Sequence, residues 1–260
     1  MGFHTFVICA YGQSPYLEAC IRSLKGQTMA TEIVCTTSTP SLWLERLLER
    51  YDIPLYVGEG GKGIGHDWNF ALETGRGMFV TIAHQDDLYG RHYVEELAAA
   101  YERWPDMIVF MSDGVLIKKG TWNRGGAVEV VKKLLRLPWR LTGLCHLQAV
   151  KKSGLLLGNP VMCPSCSYRK EKMPRPLFSR ELDFVLDWDC MRRLAVLPGR
   201  FVCREKPLLY YRIHDGAATK ACMEDRRRER EELEMFRRVW PRWLAGLWAR
   251  GYGLAGKYYD

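Results

Sequence analysis

Residues 78–83, Met-Phe-Val-Thr-Ile-Ala, form a nearly continuous apolar run that stops at His84-Gln85-Asp86-Asp87. A short apolar run bounded by turn signals suits a strand buried on both faces of a parallel sheet. The segments around it alternate in type. Residues 3–10 are rich in β-branched and aromatic side chains and end at Tyr11-Gly12-Gln13, which predicts a strand entering a turn. A helix follows, with Ser14 as N-cap, Pro15 at the first helical position, and Leu17, Cys20, Ile21 and Leu24 on one face before Gly26. Strands at 32–37 and 54–57 flank a helix carrying Leu44, Leu47 and Leu48; helices at 65–74 and 91–103 flank the apolar run, and a strand at 107–111 closes the series. Alternation of this kind predicts βαβ units and a five-strand parallel core. Ligands of such sheets bind outside the carboxyl ends of the strands, where Asp86 and Asp87 are hard oxygen donors suited to Mg²⁺ or Mn²⁺. A plainer reading makes both aspartates caps of the helix at 91–103.

The remaining motifs are less regular. Residues 58–63, Gly-Glu-Gly-Gly-Lys-Gly, match the G-x-G-x-x-G dinucleotide fingerprint in letters, after a strand and before a helix. That fingerprint normally opens the first βαβ unit, and here two strands precede it. The helix at 65–74 carries Asp67, Trp68 and Asn69 in its first turn. Signals weaken between residues 112 and 153, and residues 158–165 read as a constrained loop or short strand. Residues 186–195 suit a helix with Asp187 at its N-terminus, where the dipole favours a carboxylate. Residues 199–212 look like paired strands, and Arg212 and His214, two apart, point to one face. Residues 220–240 form a charged helix with Glu and Arg at i,i+4 spacing, expected to be mostly solvated. Beyond Pro241, Trp243, Leu244, Leu247 and Trp248 with Arg242 and Arg250 make a short basic amphipathic helix. It suits a membrane interface, the core, or a second subunit.

The chain's 260 residues allow one or two domains, and its net charge of +8 suits an anionic partner: a nucleotide diphosphate, an acidic lipid surface or nucleic acid. Nine scattered cysteines read as reduced thiols, and the one CxxC, Cys163 to Cys166, has no second ligand pair to make a zinc site. With no signal peptide and no apolar stretch long enough to span a bilayer, the expectation is a cytoplasmic protein.

Taken together, Val7-Ile8-Cys9-Ala10-Tyr11-Gly12 with Tyr16-Leu17, His84-Gln85-Asp86-Asp87, Leu186-Asp187-Trp188-Asp189, and Arg212-Ile213-His214 with Thr219 resemble, in order and spacing, the signatures of the family 2 glycosyltransferases. The likeness runs over about residues 3–220. It implies a GT-A fold, Rossmann-like with a mainly parallel central sheet and flanking helices, plus a C-terminal helical extension. The domain at 1–220 would divide at about residue 113 into nucleotide-binding and acceptor halves, with residues 221–260 as the extension. His84 stands in place of the first aspartate of the DxD-type motif, Leu186 in place of a glutamate, and Thr36-Thr37-Ser38 where the family carries an acidic residue.

The resemblance implies an inverting transfer of a sugar, from a nucleotide diphosphate that is UDP-linked, to a hydroxyl on a glycan or lipid-linked glycan of a surface polysaccharide or glycoconjugate. Mn²⁺ or Mg²⁺ would be the cofactor, held by Asp86, Asp87 and His214. Asp187 would be the general base, with Asp189 in reserve. Cys9, Ala10, Tyr11, Ser38, Asp67, Trp68, Asn69, His84, Gln85 and Arg212 would hold the nucleotide. The expected place of action is the cytoplasm or the inner face of a membrane, with peripheral contact through the C-terminal helix and no nucleic-acid partner. Two rivals stand beside this: an NAD(P)-dependent oxidoreductase using residues 58–63, and a nucleic-acid-binding protein using the arginine-rich helix, whose interleaved acids weaken it.

Overall fold

A computed structural model describes residues 2–118, 121–123, 126–214 and 227–256. Thr219, Cys222 and the first turns expected of the charged helix lie outside these residues. In chain order the elements are β1 (His4–Ala10), α1 (Leu17–Lys25), β2 (Glu32–Thr37), α2 (Leu42–Glu49), β3 (Leu55–Val57), α3 (Ile64–Thr74), β4 (Phe79–His84), β5 (Leu88–Tyr89), α4 (Tyr93–Arg103), β6 (Met107–Lys118), β7 (Thr121–Asn123), α5 (Ala127–Leu135), α6 (Leu137–Arg140), α7 (Gln148–Ser153), β8 (Cys166–Arg169), α8 (Leu186–Leu194), β9 (Arg200–Ile213), α9 (Arg227–Arg237) and α10 (Arg242–Gly256).

The described strands make one mixed sheet in the order β3-β2-β1-β4-β8-β6-β9-β5, with β7 paired to β6. Alternation along the strands separates two cores. In β1, Phe6 and Ile8 face a layer built by Leu17, Cys20, Ile21 and Leu24 of α1, Leu44, Leu47 and Leu48 of α2, and Tyr93, Val94 and Leu97 of α4. Val7 faces the other side, with Val80 and Ile82 of β4, where α3, α8 and the C-terminal helices pack. This period-two partition is what a strand buried on both faces requires.

The expected run of five adjacent strands is broken between β4 and β6 by β8, which is antiparallel to both. Cys166-Ser167-Tyr168-Arg169 lacks the β-branched composition of a central strand. It is tolerated because buried Ser167 Oγ lies 2.5 Å from Thr81 Oγ1 and 3.0 Å from Tyr93 Oη, and His4 Nε2 reaches Thr81 at 2.9 Å. A second correction concerns residues 199–212, which are one long strand, β9, parallel to β6 with register shifts, its end also pairing with β5. Because β5 follows Asp87 and α4 starts only at Tyr93, neither Asp86 nor Asp87 caps that helix.

Two devices fix the helices on the second face. A Cβ on Gly65 would lie 2.0 Å from Ser179 O, so only glycine lets α3 approach that segment. The side chain of Glu231, on α9, accepts the N–H groups of Asp183, Phe184 and Val185 at 2.8–3.0 Å where α8 begins. A carboxylate there satisfies N–H groups that a helix start leaves open and complements the dipole. Phe236 packs on the Trp188 ring, and Tyr252 of α10 packs on both. The charged helix is therefore docked along one side rather than solvated all round, while α10 turns Ala245, Trp248 and Tyr252 inward and leaves Trp243 and Leu247 exposed.

Glu231→Ala leaves three part-buried N–H groups without their acceptor, and we expect a loss of about 1–3 kcal/mol. Urea unfolding followed by circular dichroism reads this as a lower midpoint; an unchanged midpoint would show that the cap contributes nothing.

Candidate functional site

The carboxyl ends of β1, β2 and β4 meet where the strand order reverses: Cys9 is in register with Thr36 on one side and His84 on the other. Open α/β sheets bind ligands at such a switch point. Two loops leave it, and Gln85 joins them: Tyr11 N–H donates to Gln85 Oε1 at 3.1 Å, and Gln85 Nε2 donates to Tyr11 O at 2.9 Å. The Tyr11 backbone and the Gln85 amide are thus occupied in shaping the rim, while the Tyr11 ring is exposed. Ala10 is buried in the sheet, hydrogen-bonded in register with Thr37.

On the β2 side, Ser38 Oγ donates to Asp67 Oδ2 at 3.0 Å, and burial raises the Asp67 carboxyl above the usual range. Burial, with Asp67 nearby, pushes the Cys9 thiol up to about 12, so it is a neutral thiol and no nucleophile. The Trp68 ring stacks on His84 at 5.2 Å and 28°. Burial lowers His84 to about 4, and its Nε2 is buried with no hydrogen-bond partner. A neutral imidazole with an unanswered nitrogen is available to a ligand group. Asn69 is used otherwise: its amide donates to Gly65 O and Phe178 O and accepts Phe178 N–H, at 2.7–2.9 Å, clasping α3 to the 178–179 segment.

At the β4 exit the two aspartates divide. Asp87 is 2% exposed; its Oδ1 accepts the backbone N–H of Arg212 at 2.8 Å, and burial raises its carboxyl well above the ordinary value. Asp86 stays at the mouth, where Ser14 Oγ donates to its Oδ1. The end of β9 comes to the same place. Arg212 Nε donates to Asp86 O at 3.0 Å with the guanidinium 4.3 Å over the Tyr16 ring, and His214 Nε2 lies 3.2 Å from Asp86 Oδ2, its ring 5.0 Å from Tyr16. The sequence offers Ser14 as the N-cap of α1 and Tyr16 as part of the family signature; in the structure the cap position of α1 is Tyr16, with no side-chain cap bond, and the Ser14 hydroxyl turns to Asp86 instead.

For a divalent ion, Asp86 Oδ2 and His214 Nε2 are the fitting pair, because that nitrogen is buried and makes no well-aligned hydrogen bond. Two protein donors suit Mg²⁺ or Mn²⁺ when diphosphate oxygens and water complete the shell. Among the described residues no group of three or more His, Cys, Asp or Glu side chains could hold an ion unaided. Asp87 faces inward to the β9 backbone instead.

Asp187 is the second residue of α8, half-buried, and its Oδ1 accepts Trp188 N–H at 2.8 Å. Burial raises its carboxyl; the Lys132 cation and the Asn159 amide partly oppose that. Burial raises the Cys163 thiol, and the charges of both Asp187 and Asp87 add to the rise. Asp189 is held elsewhere: Arg193 Nε and Arg238 Nη1 each reach one of its oxygens at 2.8 Å, tying α8 to the end of α9. Asn159 N–H in turn donates to the Tyr252 hydroxyl at 3.2 Å, bringing α10 to the rear of Asp187.

Neither rival fits this geometry. The glycine-rich turn follows a three-residue strand at the sheet margin, and the first turn of the next helix already carries the Asp67 carboxylate. A pyrophosphate at that helix start would meet a like charge. In α9 Arg228 pairs with Glu232, and just past its end Arg238 pairs with Glu234 and Asp189, which leaves those cations poor partners for nucleic-acid phosphates.

No curated protein sequence matches the chain. Solved structures do. The mannosyltransferase PcManGT from Pyrobaculum calidifontis, in complex with GDP-Man and Mn²⁺, superposes with a TM-score of 0.64 at 14% identity, over 90% of this chain and 63% of that one. S. aureus TarS in complex with UDP-GlcNAc gives 0.62 at 17% identity, over 85% of this chain and 61% of that one. Glucosyl-3-phosphoglycerate synthase from Mycobacterium tuberculosis gives 0.54 at 14% identity, over 87% of this chain and 80% of that one. The chain thus spans about three fifths of the PcManGT and TarS structures, and what it shares with them is the GT-A fold. The family model for glycosyl transferase family 2 matches residues 5–170, more than half of the sequence, and the chain belongs to that family.

Proposed function

We propose that the protein transfers a sugar, with inversion, from a nucleotide diphosphate to an acceptor hydroxyl. The observation that carries this reading is the convergence of Asp86, Arg212 and His214, from β4 and β9, at the strand-order reversal beside Ser38, Asp67 and His84. It gathers a carboxylate, a guanidinium and an imidazole where a diphosphate would lie, next to a polar and aromatic recess for the nucleoside. PcManGT and TarS, with GDP-Man and UDP-GlcNAc bound, lend support as relatives in fold.

In this scheme Trp68 and His84 flank the nucleoside, Cys9 and Ala10 floor it, and Ser38 with Asp67 meets its polar edge. The absence of an acid at Thr36-Thr37-Ser38 leaves Ser38 and Asp67 to select the base, and uridine is the base we assign. Arg212 and His214 face the diphosphate. Mg²⁺ or Mn²⁺ bound at Asp86 and His214 would supply the positive charge that offsets the diphosphate. The Asp187 carboxylate takes the proton of the acceptor hydroxyl as its oxygen bonds to the anomeric carbon and the bond to the phosphate oxygen breaks, its electron pair leaving with the diphosphate. Asp189 has no part in this step, because two arginines hold both its oxygens.

Calorimetry with uridine diphosphate should show binding that needs Mn²⁺ and weakens about tenfold or more in Asp86→Ala. Metal-independent binding, or NADH binding in its place, would sink the assignment. Asp187→Asn should lower kcat by about 10²–10⁴ while uridine diphosphate binding stays at the wild-type value; a matching loss of nucleotide affinity would instead make Asp187 a binding group. The base must be ionised to work, and burial raises its carboxyl above the ordinary value of about 3.9. Activity should therefore fall as pH drops through a point above that value, and kcat/KM against pH should lose this acid limb in Asp187→Asn.

A further inference from the structure

From α5 through α6 and the turn Thr142–Leu144, the chain exposes one large apolar side chain after another. Leu134, Leu137, Leu141, Leu144 and Leu147 are each 44–59% accessible, and the residues between them that turn inward are Arg136, Trp139 and Cys145. Leu134 stands on α5 and Leu137 on α6, Leu144 ends the turn Thr142–Leu144, and Leu141 and Leu147 lie in the links beside that turn. Next to this segment α10 touches α5 and presents Trp243 at 76% and Leu247 at 61%, one turn apart. Single exposed leucines need no explanation, but a contiguous series does.

Charge narrows the choice of occupant. Residues 126–157 contain six Lys or Arg and one acid, Glu129, which is buried; residues 242–256 contain Arg242 and Arg250 and no acid. Arg136 and Lys151 point inward, to Asp113 and to the carbonyls of Leu197 and Gly199; at the surface Lys133 stands 3.8 Å from Asp113 and Arg140 pairs with Glu205, while Lys152, Arg242 and Arg250 are exposed cations. A second copy of this face would bring like charges together. An acidic lipid layer would accept the leucines at its acyl boundary and meet the cations with its headgroups, with Trp243 at headgroup level. Among the described residues no helix is long and apolar enough to cross a membrane.

We propose that the face formed by residues 130–147 and the exposed side of α10 docks flat on an anionic bilayer surface. This does not depend on the reaction assigned above. It does bear on it, because α5, which carries exposed Leu134, also carries Lys132, whose charge favours the ionised Asp187 carboxyl.

The test is co-sedimentation with phosphatidylcholine vesicles with and without about 30 mol% phosphatidylserine, for the full chain and for the variants Leu141→Glu/Leu144→Glu and Trp243→Glu. These side chains are exposed, so thermal melting and uridine diphosphate binding should match the wild type. The expected result is wild-type binding about tenfold stronger to the anionic vesicles, weakened by salt, and reduced about tenfold in the double variant. A wild type that stays in the supernatant, or a double variant that binds as well as it, overturns the proposal. So does a wild-type dimer in analytical ultracentrifugation that the double variant makes monomeric without any vesicle binding, which would assign the face to a second copy.

Discussion

The carboxyl end of β9 reaches the site because a buried carboxylate holds its backbone. Asp87 Oδ1 accepts the N–H of Arg212 across 125 residues of sequence, and Arg212 Nε closes the pair by donating to Asp86 O. These two bonds extend the β5–β9 pairing past its last registered residues and bring Arg212 and His214 over the β4 exit. A buried polar group without a hydrogen bond costs far more than a satisfied one contributes, and the second Asp87 oxygen has no hydrogen-bond partner, with His84 Nδ1 4.0 Å away. The neutral acid that burial favours relieves part of that cost. The two aspartates lie in the turn closed by Asp87 N–H donating to His84 O at 3.2 Å, and that turn leaves the Asp86 carboxyl at the mouth while the Asp87 carboxyl meets the β9 backbone.

The same logic explains which site residues the sequence made legible. Cys9, Thr36 and His84 come together because three parallel strands end in register, and strand ends are readable from apolar runs and the turns that stop them. Asp86 and the Arg212–His214 pair were legible as chemistry, since a carboxylate at a strand exit and two polar residues two apart already suggest an anion or metal site. Asp189 and Asn69 were not separable from their neighbours. Both sit on helices a position or two from residues that face the site, and what removes them is tertiary: Arg238 arrives from just past α9 and Phe178 from a loop, neither announced by local pattern.

The sheet's centre was the least legible part of the fold. β8 has four residues and only one bulky apolar side chain among Cys166, Ser167, Tyr168 and Arg169, so periodicity could not find it. Its place between β4 and β6 rests on hydroxyl contacts from Thr81 and Tyr93, and each of those residues, read alone, looks like an ordinary strand or helix position. The length of β9 was missed for a related reason. Arg204-Glu205-Lys206-Pro207 resembles a turn between two strands, yet it is accommodated by the register shifts opposite Ser112–Gly114. Irregular pairing lets a polar, proline-containing stretch stay within one strand.

The C-terminal helices belong to this arrangement rather than trailing from it. Glu231 caps the start of α8, Arg238 neutralises Asp189 within it, and Phe236 and Tyr252 cover Trp188, so α8 is clamped at its beginning, middle and side by residues more than forty positions downstream. Tyr252 adds a contact of a different kind. Its ring lies against Gly158, where a Cβ would stand 2.3 Å away, and its hydroxyl accepts the N–H of Asn159, the residue whose amide favours ionised Asp187. The orientation of the Asp187 carboxylate is thereby tied to the seating of α10. The opposite side of α10 carries Trp243 and Leu247, so one helix joins the exposed apolar face to the rear of the proposed base. Displacing that helix would disturb Asn159 before it touched any residue at the β4 exit.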